Sequence, residues 1–233
     1  MKINLHNNIE VLFIGQERTP LIIMDNFVTE PEMLISLACD DAPYHIQSTD
    51  YYPGIRKPLP PSYGELICSQ LFTLLRSTYQ LKEAVTATTL LSAFSISTTP
   101  PNQLRPIQML PHFDTTKSNQ FALVHYLCDV DQGGTSFYRH KQTGFERITQ
   151  TRFPQYATLL KQQATAEQLH LTPAYIANDS ALFERIHCVE ARKNRVIIYP
   201  SNLLHSGNIQ PKQGLSSDPR KGRLTISSFI YIS

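Results

Sequence analysis

Residues 120–140, QFALVHYLCDVDQGGTSFYRH, predict two β-strands joined by a tight turn. Aliphatic and aromatic residues dominate both halves of the stretch, and the polar sequence DQGG separates them. Gly133 and Gly134 suit a tight turn because glycine adopts backbone conformations that other residues avoid. A phosphate-binding role for this turn would require a helix directly after it, and the residues that follow are strand-like. The stretch therefore favours a β-sheet architecture.

The surrounding sequence extends this pattern in both directions. Further strand-like segments separated by turn residues lie at 90–98, 104–110, 184–191, 194–200 and 222–233. A run of short strands of this kind is typical of an antiparallel sandwich or barrel. A helix is expected from about Pro154 to Gln168, within a segment at 150–178 that looks inserted between strands of the sheet.

The N-terminal part of the chain mixes strands with helices. Short strands are expected at 9–14 and 20–24. Two helices are predicted from capping boxes, which pair Thr29 with Glu32 and Ser62 with Glu65. We therefore expect one domain over residues 1–233, in which strands and helices from 1–89 pack on a core formed by 90–233.

Composition narrows the class of protein. A chain of 233 residues with 41% hydrophobic residues can bury a core of its own, and a net charge of +2 requires neither nucleic acid nor a membrane surface as a partner. The four cysteines are widely spaced and form no CxxC pair, which argues against a zinc ribbon and predicts free thiols. The N-terminus lacks the apolar core of a signal peptide, and no apolar run approaches a membrane span. We expect a cytoplasmic protein, and its oligomeric state, homo-oligomer included, stays open.

Residues 108–116, QMLPHFDTT, place His112 and Asp114 two positions apart. In an extended segment the two side chains point to the same face, which is half of a metal site. Taken alone, the pair is more simply explained as a surface turn of two common polar residues. His205 is the candidate third ligand, since it follows a buried-looking strand and precedes two small residues. Two histidines and one carboxylate form the facial triad of non-haem Fe(II) oxygenases, which leaves three adjacent coordination positions open.

The last predicted strand contains a candidate anchor for a second ligand of that iron. In KGRLTISSFIYIS, residues 221–233, Arg223 and Thr225 share one face of the strand. A guanidinium group matches a carboxylate through two parallel hydrogen bonds, and a neighbouring hydroxyl adds another. We therefore expect Arg223 and Thr225 to hold the far carboxylate of a 2-oxo acid. Arg220 competes for this role, but it follows Pro219 in a polar loop where solvation is the simpler fate.

The order of these motifs resembles that of the Fe(II)/2-oxoglutarate-dependent dioxygenase superfamily, and the prolyl-hydroxylase-like branch is most similar. The stretches VHYLCDVDQGGTSFY (124–138) and ARKNRVIIYPSNLLHSG (191–207) resemble segments of that branch. The resemblance covers about residues 90–233. It implies a double-stranded β-helix (jelly-roll, cupin-like) core with flanking helices, and a centre that uses Fe(II), 2-oxoglutarate and O2. It also implies that Tyr126 helps to bind the 2-oxoglutarate carboxylate.

Two further features bear on the substrate. The stretch DYYPGIRKPLPPSYGE (50–65) resembles a segment of a small, uncharacterised bacterial group in this superfamily, and it suggests Tyr51, Tyr52 and Arg56 as residues of a substrate lid. Packing of these loop residues on the core is the alternative. The gap between His205 and Arg223 is longer than in prolyl hydroxylases, so Arg220 and Lys221 remain candidates for the anchor role. Related halogenases replace the carboxylate ligand by a small residue, so the presence of Asp114 points to hydroxylation or another oxidative step.

The expected function is hydroxylation of an amino-acid, peptide or related small substrate, with Fe(II) held by His112, Asp114 and His205. A cupin-like metal-binding or isomerase protein without 2-oxoglutarate turnover is the main alternative, for which Arg223 would be dispensable. A scaffold or sensor that binds no iron is the second. Of the other histidines, His125 is expected to be structural because it points away from its neighbour Tyr126, and four are expected at the surface, namely His6, His45, His140 and His170.

Overall fold

The computed structural model describes residues 1–4, 9–46 and 51–233. These residues contain ten β-strands and three α-helices. The strands are β1 (Ile9–Ile14), β2 (Thr19–Met24), β3 (Gly54–Pro58), β4 (Ala87–Ser97), β5 (Gln120–Tyr126), β6 (Thr135–His140), β7 (Phe183–Val189), β8 (Arg195–Pro200), β9 (His205–Gly207) and β10 (Leu224–Ile232). The helices are α1 (Pro31–Ala38), α2 (Pro61–Thr78) and α3 (Phe153–Ala166). Among the described residues, none of these helices combines the length and apolarity needed to cross a bilayer.

The strands form two antiparallel sheets. The large sheet has seven strands in the order β1-β2-β8-β5-β10-β4-β3, and the small sheet has three in the order β7-β6-β9. Side chains of both sheets share one buried cluster, to which the large sheet contributes Tyr126 and Tyr199 and the small sheet contributes Phe137. Two sheets packed face to face in this way confirm the predicted mainly β jelly-roll core with flanking helices.

The opposite face of the large sheet packs on α1 and α2. Successive residues of a strand point to opposite faces, so Leu123 and His125 of β5 lie on this outer face while Tyr126 points into the space between the sheets. Ile226 of β10 and Ile67 of α2 are fully buried in the outer cluster. The helices therefore bury one side of the large sheet and leave the other side to form the interior of the jelly roll.

Strands from the N-terminal part of the chain extend the large sheet at both edges. The predicted strands at 9–14 and 20–24 are confirmed as β1 and β2, and β2 pairs with β8. The strand β3 pairs with β4 at the other edge. Both edges of the large sheet thus come from residues that precede most of the jelly roll in the chain.

The predicted capping boxes are wrong. The helix α1 begins at Pro31 after Glu30, and α2 begins at Pro61 after Pro60, and neither preceding residue makes a side-chain cap hydrogen bond. Proline is favoured at the first position of a helix because its φ angle is already helical and its missing N–H would be unpaired there. Each helix therefore begins at a proline rather than after the predicted cap at Thr29 or at Ser62.

The segment 104–110 was expected to be a strand, and this prediction is wrong. Two short 3-10 turns lie at Pro101–Gln103 and Pro106–Met109, each beginning with proline, which cannot donate a hydrogen bond to a neighbouring strand. The predicted helix in the 150–178 segment is confirmed as α3. Its Tyr156 packs edge-on against Phe113, one residue after His112.

Candidate metal centre

His112, Asp114 and His205 converge inside the mouth of the jelly roll. Their ligand atoms all lie within 4.8 Å of one another. The distance from Asp114 Oδ1 to His112 Nε2 is 3.9 Å, and the distance from Asp114 Oδ2 to His205 Nε2 is also 3.9 Å. Ligands that bind one transition metal at about 2.0–2.2 Å can be at most about 4.4 Å apart. The three side chains therefore need only a small contraction to share one ion.

Backbone hydrogen bonds hold the three residues in place. His112 and His205 form an isolated antiparallel bridge, in which each N–H donates to the other residue's carbonyl at 2.9 and 2.8 Å. The backbone N–H of Asp114 donates to the carbonyl of Ser201 at 2.7 Å. The segment with His112 and Asp114 is thus bonded both to β9, at His205, and to the turn before it, at Ser201, and the predicted proximity of all three side chains follows from these pairings.

The protonation of the site suits a cation. His205 Nδ1 donates to the carbonyl of Leu203 at 2.8 Å, which assigns the proton to Nδ1 and leaves Nε2 free to bind a metal. Burial lowers the pKa of His205 to about 4, so the ring is neutral at physiological pH. Asp114 Oδ2 is buried and has no hydrogen-bond partner among the described residues. An unpartnered buried carboxylate oxygen is costly unless a cation accompanies it, and the donor set therefore fits Fe(II).

The predicted anchor residues lie together at the start of β10. Arg223 is 5% exposed, and its guanidinium donates to the carbonyls of Gly133 and Gly134 at 2.9 and 2.8 Å. Thr225 lies directly opposite Tyr126 on the neighbouring strand. The guanidinium carbon of Arg223 is 5.8 Å from the centre of the Tyr126 ring. The competing Arg220 is exposed, so only Arg223 reaches the interior.

The glycine turn has a role beyond that predicted from sequence. Its two carbonyl groups hold the Arg223 guanidinium, which fixes the direction of the remaining donors. Gly133 has a φ of +93°, and a Cβ atom there would collide with the carbonyl of Asn208. Glycine is therefore required at this position both for the backbone conformation and for the close approach of the neighbouring segment.

Tyr52 and Arg56 lie on the same side of the large sheet as the anchor residues. The guanidinium of Arg56 is 4.4 Å from the centre of the Tyr52 ring, and the Tyr52 hydroxyl is 3.2 Å from the hydroxyl of Ser97. Burial raises the pKa of Asp114 to about 6, and the nearby side chains of His112 and Arg56 act against this rise. Arg56 is thus close enough to the metal ligands to act on them electrostatically. Tyr51 is exposed.

Sequence reasoning missed two tyrosines of this region. Tyr199 of β8 is buried, and its ring packs edge-on against the ring of His205 with centroids 4.8 Å apart. Tyr175 belongs to the segment at 150–178, and its hydroxyl donates to the carbonyl of Thr99 at 2.6 Å. Alternation along the β8 strand could have placed Tyr199 on the inner face, whereas no local pattern indicates the position of Tyr175.

Of the remaining histidines, one was expected to be structural and four to lie at the surface. His125 is structural as predicted, since it is fully buried with its two ring nitrogens 3.1 Å from Tyr63 Oη and Asn194 Oδ1. The prediction for His140 is wrong: it is fully buried and bonded to Thr143 and Gln163, because α3 covers this end of β6. His45 is exposed, as expected. His6 and the side chain of His170 lie outside the described part of the structure.

Solved structures with a similar fold include one described with bound nickel and 2-oxoglutarate and one described as an α-ketoglutarate-dependent epimerase. HygX from Streptomyces hygroscopicus, with nickel, 2-oxoglutarate and hygromycin B bound, is 11% identical over 91% of this chain and 83% of its own, with a TM-score of 0.51. SnoN, a non-haem α-ketoglutarate-dependent epimerase from nogalamycin biosynthesis, is 11% identical over 92% and 79% of the two chains, with a TM-score of 0.48. AviO1 from Streptomyces viridochromogenes is 11% identical over 90% and 89%, with a TM-score of 0.45.

Sequence comparison assigns a family without assigning an activity. No curated protein matches the sequence. Residues 5–230 match the model of a family described as "Family of unknown function (DUF6445)". The chain therefore belongs to the DUF6445 family.

Proposed function

We propose that this member of the DUF6445 family is an Fe(II)- and 2-oxoglutarate-dependent oxygenase that hydroxylates an amino-acid, peptide or related small substrate. The observation that carries the proposal is the convergence of His112, Asp114 and His205 in the mouth of a jelly roll that also buries Arg223. Bound Fe(II) would supply, with O2, the oxidation of a substrate C–H to C–OH while 2-oxoglutarate is converted to succinate and CO2. The residues of the chain bind, orient and shield these components.

Three side chains would hold the metal. The hydrogen bond to Leu203 orients the imidazole of His205, and the backbone bond to Ser201 positions Asp114. Two neutral imidazoles and one carboxylate leave positions free on one side of an octahedral ion, and a bidentate 2-oxo acid requires two of them. The side chain of His112 is half-exposed, so ligands from solvent could reach the metal from this side.

Arg223 would hold the far carboxylate of 2-oxoglutarate. Two of its donors are occupied by Gly133 and Gly134, which restricts the guanidinium before any ligand arrives. Thr225 and Tyr126 lie opposite each other on adjacent strands beside it. Burial raises the pKa of Tyr126 to about 12, so its phenol stays protonated, and its proton, donated to Thr135 at 2.6 Å in this structure, would turn to the carboxylate when that group binds. A buried site with charged and neutral donors is well suited to a carboxylate.

Two similarities support the same function. The order of the motifs resembles that of the prolyl-hydroxylase-like branch, and we place the chain near that branch. The similarity to HygX is evidence for the fold, and its nickel and 2-oxoglutarate belong to that protein. They nevertheless identify a metal and a co-substrate that a jelly roll of this kind can bind. Four free cysteines fit a reducing cytoplasm as the compartment.

An anaerobic titration tests the proposal. The apo-protein is titrated with Fe(II) and then with 2-oxoglutarate, and the metal-to-ligand charge-transfer band is followed by visible absorption. The band should require His112, so that His112→Ala abolishes it. Arg223→Gln should weaken 2-oxoglutarate binding about 10- to 100-fold, since each hydrogen bond to a charged group contributes about 1.5–3 kcal/mol. The matched control is Arg220→Gln, which removes the same group from the exposed loop and should leave the affinity unchanged.

Each contrary result selects one of the alternatives. Iron binding without a charge-transfer band, or a band that does not depend on Arg223, would favour a cupin-like metal-binding protein. Failure to bind iron would make the three ligands a structural cluster and the protein a scaffold or sensor. Aerobic incubation with 2-oxoglutarate completes the test, because only the oxygenase forms succinate.

A further inference from the structure

The backbone of residues 202–204 pairs with the backbone of residues 146–148, which are distant in the sequence. The two segments share two N–H···O=C bonds of 2.8 Å, and between these bonds Leu203 forms an antiparallel bridge with Arg147. His205 follows the first segment directly. The position of this candidate metal ligand therefore depends on what holds residues 146–148 in place.

The middle residue of the 202–204 segment orients the imidazole of His205. The carbonyl of Leu203 accepts the Nδ1 proton of His205 at 2.8 Å, which leaves Nε2 as the ring nitrogen that can bind a metal. Leu203 is fully buried, so water does not compete for this carbonyl. A bond of this kind fixes both the tautomer and the ring orientation of a metal-binding histidine. Groups that hold Leu203 therefore also act on His205.

Two glutamates join residues 146–148 to the turn between β1 and β2. The backbone N–H of Glu17, in that turn, donates to Glu146 Oε2 at 3.0 Å. The backbone N–H of Glu146 donates to Glu17 Oε1 at 3.1 Å. Each carboxylate thus accepts the backbone N–H of the other residue. We call this reciprocal pair the glutamate clamp.

Arginines neutralise both carboxylates of the glutamate clamp. Arg139 donates from Nε and Nη2 to Glu146 Oε1, at 2.8 and 2.5 Å. Glu17 accepts from Arg147 Nε at 2.9 Å and from Arg152 Nη1 at 2.6 Å. The side chain of Glu146 is fully buried. A buried carboxylate needs a paired cation and further hydrogen bonds to be tolerated, and Glu146 has both.

The surroundings of Glu146 are shaped to admit its carboxylate. Gly15 has a φ of +66°, and a Cβ atom there would collide with the carboxylate of Glu146. Glycine is therefore required in this turn for the close approach as well as for the backbone conformation. Arg139 provides a second connection to the metal centre, because Phe137, two residues earlier in β6, lies opposite His205 on β9. The carboxylate of Glu146 is thus bonded both to the β1–β2 turn and to the strand that pairs with β9.

We propose that Glu146, supported by Glu17, is a positioning residue of the metal centre, which holds the carbonyl of Leu203 where that carbonyl orients His205. This proposal rests on the proposed function, because it takes His205 as a metal ligand, and it assigns a role to a residue that does not contact the metal. Hydrogen bonds to an ionised group are about twice as strong as those between neutral groups. A charged carboxylate at this position should therefore restrict residues 146–148 more than a neutral amide would.

The first measurement is made on the metal-free protein at neutral pH. Ring-nitrogen NMR shifts of His205, assigned by comparison with His205→Ala, distinguish a proton on Nδ1 from a proton on Nε2. The wild-type protein should carry this proton on Nδ1. In Glu146→Gln, which keeps the size of the side chain and removes its charge, we expect a mixture of the two tautomers. Glu17→Gln should have a smaller effect in the same direction, and it keeps the test valid if Glu146→Gln does not fold.

The second measurement is a Co(II) titration followed by visible absorption. Loss of a group bonded directly to a metal ligand costs about 10- to 100-fold in metal affinity, and Glu146 acts at least one bond farther away, so Glu146→Gln should weaken Co(II) binding about three- to tenfold. The shape of the spectrum at saturation should also change, because it depends on the geometry of the ligands. The matched control is Glu184→Gln, which removes the half-exposed carboxylate that Arg139 Nη1 contacts at 2.8 Å and should change neither measurement.

A second control separates positioning from a general loss of stability. Ile226→Ala removes a fully buried side chain on the opposite face of the large sheet, and it should leave the His205 tautomer and the Co(II) spectrum unchanged. Thermal unfolding of each variant shows whether it is folded.

Several outcomes would overturn this proposal. They are a wild-type tautomer and Co(II) spectrum in both glutamate-clamp variants, or equal changes in Glu146→Gln and in either control. A wild-type protein that binds no Co(II) would be a failure of the proposed function, and the NMR measurement would still decide whether Glu146 orients His205. Normal Co(II) binding by the wild-type protein, together with unchanged Glu146→Gln and Glu17→Gln variants, would be a failure of the present inference alone.

Discussion

The two faces of the large sheet belong to the same strands but differ in what they bury. On the outer face, Leu123, Ile198 and Ile226 are fully buried among apolar side chains of the helices. The inner face presents a row of polar side chains that runs across four adjacent strands, namely Arg56, Ser95, Thr225 and Tyr126. Hydrophobic burial on one face therefore provides the stability that lets polar groups accumulate on the other.

Two consecutive residues show the difference most clearly. His125 points outward, and its two ring nitrogens contact Tyr63 of α2 and Asn194. Tyr126 points inward, donates to Thr135 and faces Arg223. Both ring nitrogens of His125 therefore have hydrogen-bond partners within the protein. Next to this face, the interior of the jelly roll contains Asp114 Oδ2, which has no hydrogen-bond partner among the described residues, and such an unsatisfied buried polar atom is typical of a functional site.

The largest effect expected from this comparison is the loss of metal binding in His205→Ala. Removing a group that merely orients a ligand costs about 10- to 100-fold in metal affinity, so removing the ligand itself should cost at least about 100-fold. The measurement is a Co(II) titration followed by visible absorption. His125→Ala is the matched control on the outer face, and it should lower stability while leaving the metal affinity of the folded protein intact. Binding by His205→Ala within tenfold of wild type would contradict the assigned ligand set.

Truncation of an apolar side chain on the outer face should lower the stability of the protein and leave its metal affinity unchanged. Ile226→Ala removes a fully buried side chain between the sheet and the helices, and it should lower the free energy of unfolding by about 2–5 kcal/mol. Urea denaturation measures this change, and Co(II) affinity measured without urea should stay at the wild-type value. The neighbouring inner-face variant Ser227→Ala should cost less than about 1 kcal/mol. Equal decreases in the free energy of unfolding for the two variants would contradict the view that the outer face provides most of the stability.

Local patterns account for the parts of the site that the sequence could predict. The spacing of His112 and Asp114, and that of Arg223 and Thr225, follows from the alternation of side chains in extended chains. The position of His125 follows from the same rule. These predictions need no knowledge of which strands are neighbours, and the motif order added the expectation of a jelly roll.

The parts that could not be predicted depend on contacts between distant segments. The carbonyl groups of Gly133 and Gly134 hold Arg223 across 89 residues of chain or more. His140 is buried because a helix from a later segment covers it. The hydroxyl of Tyr175 donates to the carbonyl of Thr99, and nothing near Tyr175 in the sequence indicates this contact. Each of these features requires the fold itself, since no local propensity determines which segments meet.

Acidification should weaken metal binding in the interior of the jelly roll. Burial raises the pKa of Asp114 to about 6, and protons compete with the metal for its carboxylate below that value. The affinity for Co(II) should therefore fall about tenfold between about pH 7 and about pH 5, whereas a carboxylate of ordinary pKa would show almost no change. His205, with a pKa of about 4, stays neutral in this range. Titrations at several pH values measure the slope.

The stability of the metal-free protein should respond with the opposite sign. Because the pKa of Asp114 is raised in the folded state, folding takes up a proton between the folded and unfolded pKa values. The contribution of Asp114 to the free energy of unfolding therefore increases as the pH falls from about 6, while metal affinity decreases. The control Asp114→Asn should bind metal weakly and lose both pH dependences. A pH-independent affinity in the wild-type protein would exclude Asp114 as a ligand.

The smallest effects, and the sharpest separation of the two faces, are expected from removing single hydroxyl groups. Tyr126→Phe and Tyr63→Phe each delete one buried hydroxyl without changing the shape of the ring. The hydroxyl of Tyr126 is hydrogen-bonded to Thr135, and that of Tyr63 to His125. Each lost hydrogen bond should lower the free energy of unfolding by about 0.5–1.5 kcal/mol. Tyr126→Phe should in addition weaken 2-oxoglutarate binding about 2- to 10-fold, whereas Tyr63→Phe should leave it unchanged. If both variants lowered 2-oxoglutarate affinity equally, the effect would arise from general loosening of the sheet. If neither did, the phenol of Tyr126 would be a structural link between the two sheets, and Arg223 with Thr225 would account for carboxylate binding alone.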